Sequence, residues 1–505
     1  MSSDKGPLAS SNSSVADGIL PTPDPSIITW DGPSDPDNPL NFSPQKKWAI
    51  SGVCIFTSLT VSFSSSEPST AFLQFKQEFA LNDTTARSVI TLYLVGFVFG
   101  PTLWGPGSEH WGRRPTTIVA MLLFTLFQLG EGLGKNATTV LVCRFLSGVC
   151  GSAPFTVAIG TLIDIWAAME RGLPLCLFSA SVFLGPVLGP IVGGFISTYT
   201  TWRWTYWLIM ILGGISTALA LLFQPETFPL VLLSKRLAQR RKENPERVKG
   251  LRAELDLHHG VGDFAKRVLY RPFQMLLLEP ILLLVTIYMS LVYGLLYALF
   301  EAVPVIFIET RGFNLWQAGL TFIGVGVGTT LGALLTLVTM AHYPALVPRW
   351  KGYPPPEQRL FGSMIGGPLL VIGSFWLGWT GHYASVHWIL PTIALGIIGA
   401  SICLTFNSFL SYLTDTYLMY AASATAANVI IRSIVGATFP LFTTQMFHNL
   451  GINWAASLIG FIGILLTPIP FLFYKYGAAI RRRSRFSPCI DLKIAEQLAH
   501  ESETA

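Results

Sequence analysis

Ionisable side chains inside long apolar runs are the residues in this sequence best suited to do chemistry. Glu301 closes the run TIYMSLVYGLLYALFEAVP, with Tyr293 and Tyr297 at i−8 and i−4 on roughly the same helix face. Intramembrane ionisable groups are costly and often functional. A carboxylate so placed suits proton exchange near neutral pH or capture of a cationic substrate; alternatively, Glu301 reaches the outer interface, is solvated there, or helps to hold its helix. Arg144 begins the single-face pattern Arg144, Gly148, Ser152. It lies about 7–8 Å inside the start of its run at 1.5 Å per residue, so burial and snorkelling to the interface are both open. Arg432 is harder to place outside, and either a partner carboxylate or an interhelical contact would account for it. Asn407, Ser411 and Asp415 follow i, i+4, i+8 spacing and form a candidate polar stripe, although Asp415 equally suits a helix end, as does Asp164. Glu301, Arg144, Asp164 and Asp415 are therefore the candidates for proton or cation coupling.

These residues need helices to carry them, and one helix is unusually marked. In Ala180–Ser197, Gly185, Gly189 and Gly193 recur every four residues, with Gly194 beside them. The spacing makes a small-residue face that a neighbouring backbone can approach closely. Pro186 and Pro190 repeat one position on; each removes a backbone donor, predicting a bent helix whose freed carbonyls are covered by a packed partner. A bent, small-faced helix suits a place where two bundles rock against each other, which points to a transporter.

The composition is that of a polytopic membrane protein. Only 12% of the 505 residues are charged, against about a quarter in soluble domains. Apolar runs near the ~20 residues that cross a bilayer predict twelve spans at 48–66, 86–107, 116–134, 139–166, 173–197, 204–223, 278–308, 317–341, 361–381, 387–414, 421–447 and 453–475. The predicted class is all-α: a disordered tail over 1–45, a six-helix bundle over 46–223, a linker over 224–277, a second six-helix bundle over 278–475 and a tail over 476–505. KRLAQRRKENPERVKGLRAELD predicts one or two short charged helices in the linker, near anionic headgroups. Basic residues crowd one face, from Lys46 and Lys47 through Arg113, Arg114, Arg349, Lys351, Arg359 and Arg481–Arg485, which the positive-inside tendency makes cytoplasmic. The opposite face receives Lys76, Arg87, Lys135, Arg203 and Arg311, together with the sequons at Asn82 and Asn136 as glycosylation candidates. Two further sequons, at Asn12 and Asn41, fall on the cytoplasmic side.

Gly105–Pro115, GPGSEHWGRRP, joins the second and third runs: its glycines permit a tight turn, its arginines hold the cytoplasmic face and Glu109 is a counter-charge. The segment resembles the loop signature of the major facilitator superfamily, with Glu109 where that family usually has Asp, and with Gly105, Gly112, Arg113 and Arg114 completing a conformational motif. The Gly-Pro helix resembles the fifth-helix signature of the antiporter branches. Pro225-Glu226-Thr227-Phe228, PPPEQRL and YAASATAANVIIRSIVGATFPLF extend the likeness from Asn38 onward, nearest to fungal twelve-span drug:proton antiporters, which include multidrug, polyamine and secondary-metabolite exporters. The resemblance implies alternating access between two helical halves and proton-coupled efflux. It also likens Arg144 to an arginine for which proton transfer has been proposed.

Tyr288, Tyr293, Tyr297, Phe300, Phe406, Asn407 and Asn428 are candidates for a largely apolar substrate cavity with a few polar anchors. Six cysteines lack metal-ligand spacing and suggest reduced thiols. With no nucleotide-binding loop or nucleophile-base arrangement, neither a cofactor nor a metal is expected, and an enzyme is disfavoured. The expected partners are a small molecule, protons and the bilayer, with no nucleic acid and a single chain as the working unit. The expected location is the plasma membrane, a vacuolar or vesicular membrane being the alternative. Export leads; uptake by symport is the runner-up, and a non-transporting receptor or scaffold is the alternative from another class. Cysteine tags in the N-terminal tail, the 224–277 linker and the C-terminal tail are expected to be protected in intact cells and labelled after permeabilisation. Labelling of the linker from outside would defeat the two-half topology.

Overall fold

The computed structural model describes residues 28–167, 170–243, 270–350 and 352–495. Twelve helices among them are long and apolar enough to cross a membrane: α1 (Pro44–Ser69), α2 (Asp83–His110), α3 (Arg113–Leu133), α4 (Ala137–Ile165), α5 (Gly172–Tyr199), α6 (Arg203–Phe223), α7 (Pro280–Glu309), α8 (Leu315–Arg349), α9 (Phe361–His382), α10 (Ile389–Tyr417), α11 (Ser423–Leu450) and α12 (Ile452–Arg481). Each overlaps one predicted span. Local chemistry starts several of them. Ser43 caps α1 by accepting from the Lys46 amide with Pro44 at the first helical position. Asn82 and Asn136 cap α2 and α4 by accepting from the Thr85 and Thr139 amides at 2.7 Å. The exposed sequon asparagines thus have a structural task of their own. Leu222, Val338 and Leu465 point outward, as a hydrocarbon surround permits.

Helix α5 packs differently on its two marked faces. A Cβ on Gly185 would sit 2.6 Å from the Phe63 nitrogen; on Gly189, 2.7 Å from the Glu67 nitrogen; and on Gly193, 2.7 Å from the Glu67 carbonyl oxygen. The glycine face therefore seals α5 against α1 of the same half, rather than forming the contact between halves. Pro186 frees the Val182 carbonyl, four residues back, and this carbonyl accepts from the Ser62 hydroxyl of α1. The contact with the second half runs through Pro190, whose carbonyl lies against Gly319 of α8, and through Gly194, close to the Leu315 and Trp316 backbone. A continuous apolar core joins Ile90, Leu94, Phe183 and Val187 of the first half to α7, α8, α10 and α11.

Outside the spans, residues 28–43 depart from the predicted disorder, and residues 1–27, including the Asn12 sequon, lie outside the described residues. Asn38 caps a short 3-10 turn, Pro39–Asn41, and Asp35 accepts from Arg236 in the helix Pro229–Glu243. The Arg236 hydrogen bond holds the Asp35 carboxyl below the ordinary range, at about 2. Linker residues 244–269 lie outside the described residues. At the other end, α12 continues past the predicted limit at 475 to Arg481.

Gly189→Leu should force α5 away from α1, overpacking of this kind costing about 1–3 kcal/mol or more. Transport should fall with protein still detectable in the membrane, whereas Gly214→Leu, whose Cβ meets nothing within 4 Å, should be tolerated. Normal transport by a localised Gly189→Leu variant would reject the contact as a functional constraint.

Candidate functional site

Arg144, two turns inside α4, is fully buried. Its Nε donates to the Val89 carbonyl at 3.1 Å, and Nη1 donates to the Ser64 hydroxyl at 3.2 Å and to Glu131 at 3.4 Å. Nη2 donates to the Ser64 carbonyl. The guanidinium also faces the Tyr93 ring at 4.3 Å. Glu131 of α3 accepts from Ser147 at 2.7 Å. A second carboxylate, Glu67 of α1, lies in the same buried region, with neither oxygen hydrogen-bonded. The Thr205 hydroxyl beside it donates instead to the Trp202 carbonyl. Arg144, Glu131 and Glu67 are each 0% exposed, so snorkelling is not the arrangement found.

Between the halves lies an aromatic and polar belt. Tyr297 donates to Ser65 of α1 at 2.9 Å and lies 3.4 Å from the Tyr293 hydroxyl. Phe406 meets Phe183 of α5 edge-on at 4.8 Å, and Asn407 accepts from Ser179 of α5. Phe300 packs between Tyr297 and Phe322 of α8. Tyr288 and Asn428 do not join the belt. Tyr288 packs on Phe409 within the second bundle, and Asn428 donates to Thr286 and to the Met289 sulfur of α7.

The remaining coupling candidates sit in ion pairs. Glu301 pairs with Arg87 across the two halves and accepts from Thr444 at 3.0 Å. Asp164 accepts from Arg113 at 3.1 Å at the linker face, so it belongs to a clasp and not to a central relay. Glu226 completes that clasp by accepting from the Arg113 amide at 2.8 Å and the Arg114 amide at 3.3 Å. Gly112 is required there: its φ is 103° and a Cβ would run into the Glu226 carboxylate. Glu109 is exposed, and Arg113 turns to Asp164 and Ser108, so the acid expected to latch the loop is replaced by Asp164 and Glu226. The second half repeats the device. Asp415 accepts from Arg359 at 2.8 Å and from Tyr343 at 2.6 Å, and Arg481 bonds both oxygens of Glu357 at 2.9 Å and both of Asp491 at 2.8 Å. Asp415 thus belongs to this ion pair, whereas Asn407 bonds Ser179 of α5.

A model of the Major Facilitator Superfamily matches residues 50–440. The chain belongs to this superfamily. It is 41% identical over 475 residues to the ascochitine biosynthesis cluster transporter of Didymella fabae, covering 93% of this chain and 91% of that one. It is 42% identical over 468 residues to the citrinin biosynthesis cluster transporter of Monascus ruber, covering 92% of each, and 42% identical over 457 residues to an uncharacterized transporter of Schizosaccharomyces pombe, covering 90% and 84%. The xylose transporter XylE of E. coli, solved in a partially occluded inward open conformation, shares the fold at a TM-score of 0.61 and 18% identity, covering 86% of this chain and 98% of that one. This superfamily chain is a multi-pass membrane transporter and not an enzyme.

Glu67 was hidden in the sequence because SSSEPST reads as the end of a run; Glu131 stood within a predicted span, where an acid is itself a signal. Glu226 and Glu357 lay inside PETF and PPPEQRL, but nothing local names an arginine more than 100 residues away.

Several contacts between halves lie toward the face opposite the linker, through Arg87–Glu301, Thr91 to the Ala437 carbonyl at 3.0 Å, and Phe195 stacked on Trp316. Glu301→Gln leaves Arg87 without its counter-charge and should weaken closure there. A reporter Leu94→Cys in a background lacking the native cysteines should then be labelled faster from that face, about tenfold for a 1.4 kcal/mol shift. An unchanged labelling rate would leave the pair without influence on closure.

Proposed function

We propose that this transporter exports small amphipathic organic molecules, fungal secondary metabolites foremost, in exchange for protons, with the linker face cytoplasmic. The observation that carries the reading is the Arg144, Glu131 and Glu67 cluster. Glu131 pairs with Arg144, and a second carboxylate, Glu67, is buried in the same region with its oxygens lacking hydrogen bonds. A buried charge without compensation is expensive. Proton exchange at this cluster would let its net charge follow the opening of each half, and alternating access would tie that exchange to movement of the substrate. Glu67 sits where α1 meets the glycine face of α5, so helix motion and its surroundings are linked. Glu301, Asp164 and Asp415, each held by an arginine, act in this reading as elements of conformational clasps.

Efflux is favoured over uptake by the Gly-Pro fifth helix and by the biosynthesis-cluster names of the relatives. Citrinin and ascochitine are accordingly the first compounds to test, in proteoliposomes under an imposed pH gradient. Wild-type protein should accumulate substrate uphill. Glu67→Gln should lose accumulation by about tenfold or more, the scale of a 1.4 kcal/mol coupling, while retaining downhill exchange. Glu131→Gln breaks a buried pair, worth about 3–5 kcal/mol when one partner is removed, and should also lower thermal stability. Wild-type accumulation by Glu67→Gln, or transport indifferent to the gradient, would sink the proposed coupling.

A further inference from the structure

Arg432 departs from the pattern set by the other buried and half-buried arginines. Arg87, Arg113, Arg144, Arg359 and Arg481 each reach a carboxylate, and Arg311 donates to the carbonyls of Ile306, Gly381, Thr380 and Tyr383. Arg432 has no such partner among the described residues, and its buried Nε makes no hydrogen bond. Its guanidinium lies over the faces of Phe406 at 4.5 Å and Tyr293 at 5.2 Å. Both rings are tied to the first half: Phe406 meets Phe183, and Tyr293 lies beside Tyr297, which donates to Ser65.

The position is unusual physically. A guanidinium stays charged, and a charge inside a span calls for a counter-charge or a set of acceptors. Cation–π contact with two rings offsets part of the cost but leaves the N–H fork unused, and that fork matches a planar, bidentate acceptor. The same rings present flat apolar surface to a conjugated body.

We infer that Arg432 recognises the carboxylate of an aromatic or conjugated substrate whose ring system packs against Phe406 and Tyr293. The missing counter-charge arrives with the substrate. This rests on the proposed export of small amphipathic molecules, with the belt between the halves taken as their path, and it narrows that class to planar acids.

The purified full-length protein in detergent tests this without a pH gradient, so failure of the anion site and failure of proton coupling are read separately. The probes are 2-naphthoate, its uncharged amide and 2-naphthylmethylamine, with binding followed by tryptophan fluorescence. Naphthoate should bind at least about tenfold more tightly than the amide, and the amine should bind weakest. Arg432→Gln should bring naphthoate and amide to equal affinity. Arg432→Lys, which keeps charge but loses the fork, should narrow the ratio and serves as the test if the glutamine variant does not fold. Phe406→Leu should weaken both probes together and preserve their ratio. Equal binding of naphthoate and amide by the wild type, a preference for the amine, no binding of naphthoate, or a naphthoate-to-amide ratio unchanged in the Arg432 variants would each overturn the assignment.

Discussion

Charge inside a bundle of apolar helices must find its compensation within the protein, and much of the interior follows from that requirement. Arg144 accepts no solvent and is held by Glu131, Ser64 and the Val89 carbonyl. Those four groups come from α1, α2, α3 and α4, so a single guanidinium ties together most of the first half. Removing water makes each bond stronger and each missing bond more costly. The cluster is therefore both a structural anchor and the place where a change in charge would be felt by several helices at once.

Helix α5 links this anchor to the second half. Its glycine face lets α1 approach to backbone contact, and the Pro186 break supplies the Val182 carbonyl that Ser62 uses. Its other side carries Ser179, Phe183, Pro190 and Gly194 against α8 and α10. Movement of one half relative to the other must then shift α5 against one neighbour while it stays locked to the other. The arrangement suits alternating access because α5 is sealed to α1 of its own bundle on one face and meets the second half on another.

The linker face shows the same device built twice. Arg113 at the start of α3 meets Asp164 at the end of α4 and Glu226 after α6; Arg359 just before α9 meets Asp415 at the end of α10, and Arg481 closes α12 onto Glu357. Bidentate and charge-assisted bonds of this kind fix geometry as well as adding energy. Each clasp ties helices of one bundle to one another. Among the contacts that cross, the polar pairs Arg87–Glu301 and Tyr297–Ser65 stand beside apolar ones such as Phe183–Phe406 and can exchange partners.

Twelve spans, the all-helical class and the special character of α5 were legible in the sequence, because apolar run length and glycine or proline spacing act locally and need no knowledge of partners. The superfamily signature was legible for the same reason: Gly112 is demanded by its own backbone conformation and by Glu226 beside it. The distribution of roles among the charged residues was not. Asp164 and Asp415 read alone either as coupling acids or as helix ends, and each is paired with an arginine that only packing brings near. Glu109 appeared to be the loop's counter-charge by proximity in sequence, whereas Arg113 turns towards Asp164. Likewise Tyr288 and Tyr293 share a helix, but their five-residue separation turns them to different neighbours, Phe409 in one case and Arg432 in the other. Helix formation depends on neighbours a few residues apart, while the partner of a buried charge is chosen by which helices pack together, and the tertiary structure alone decides that.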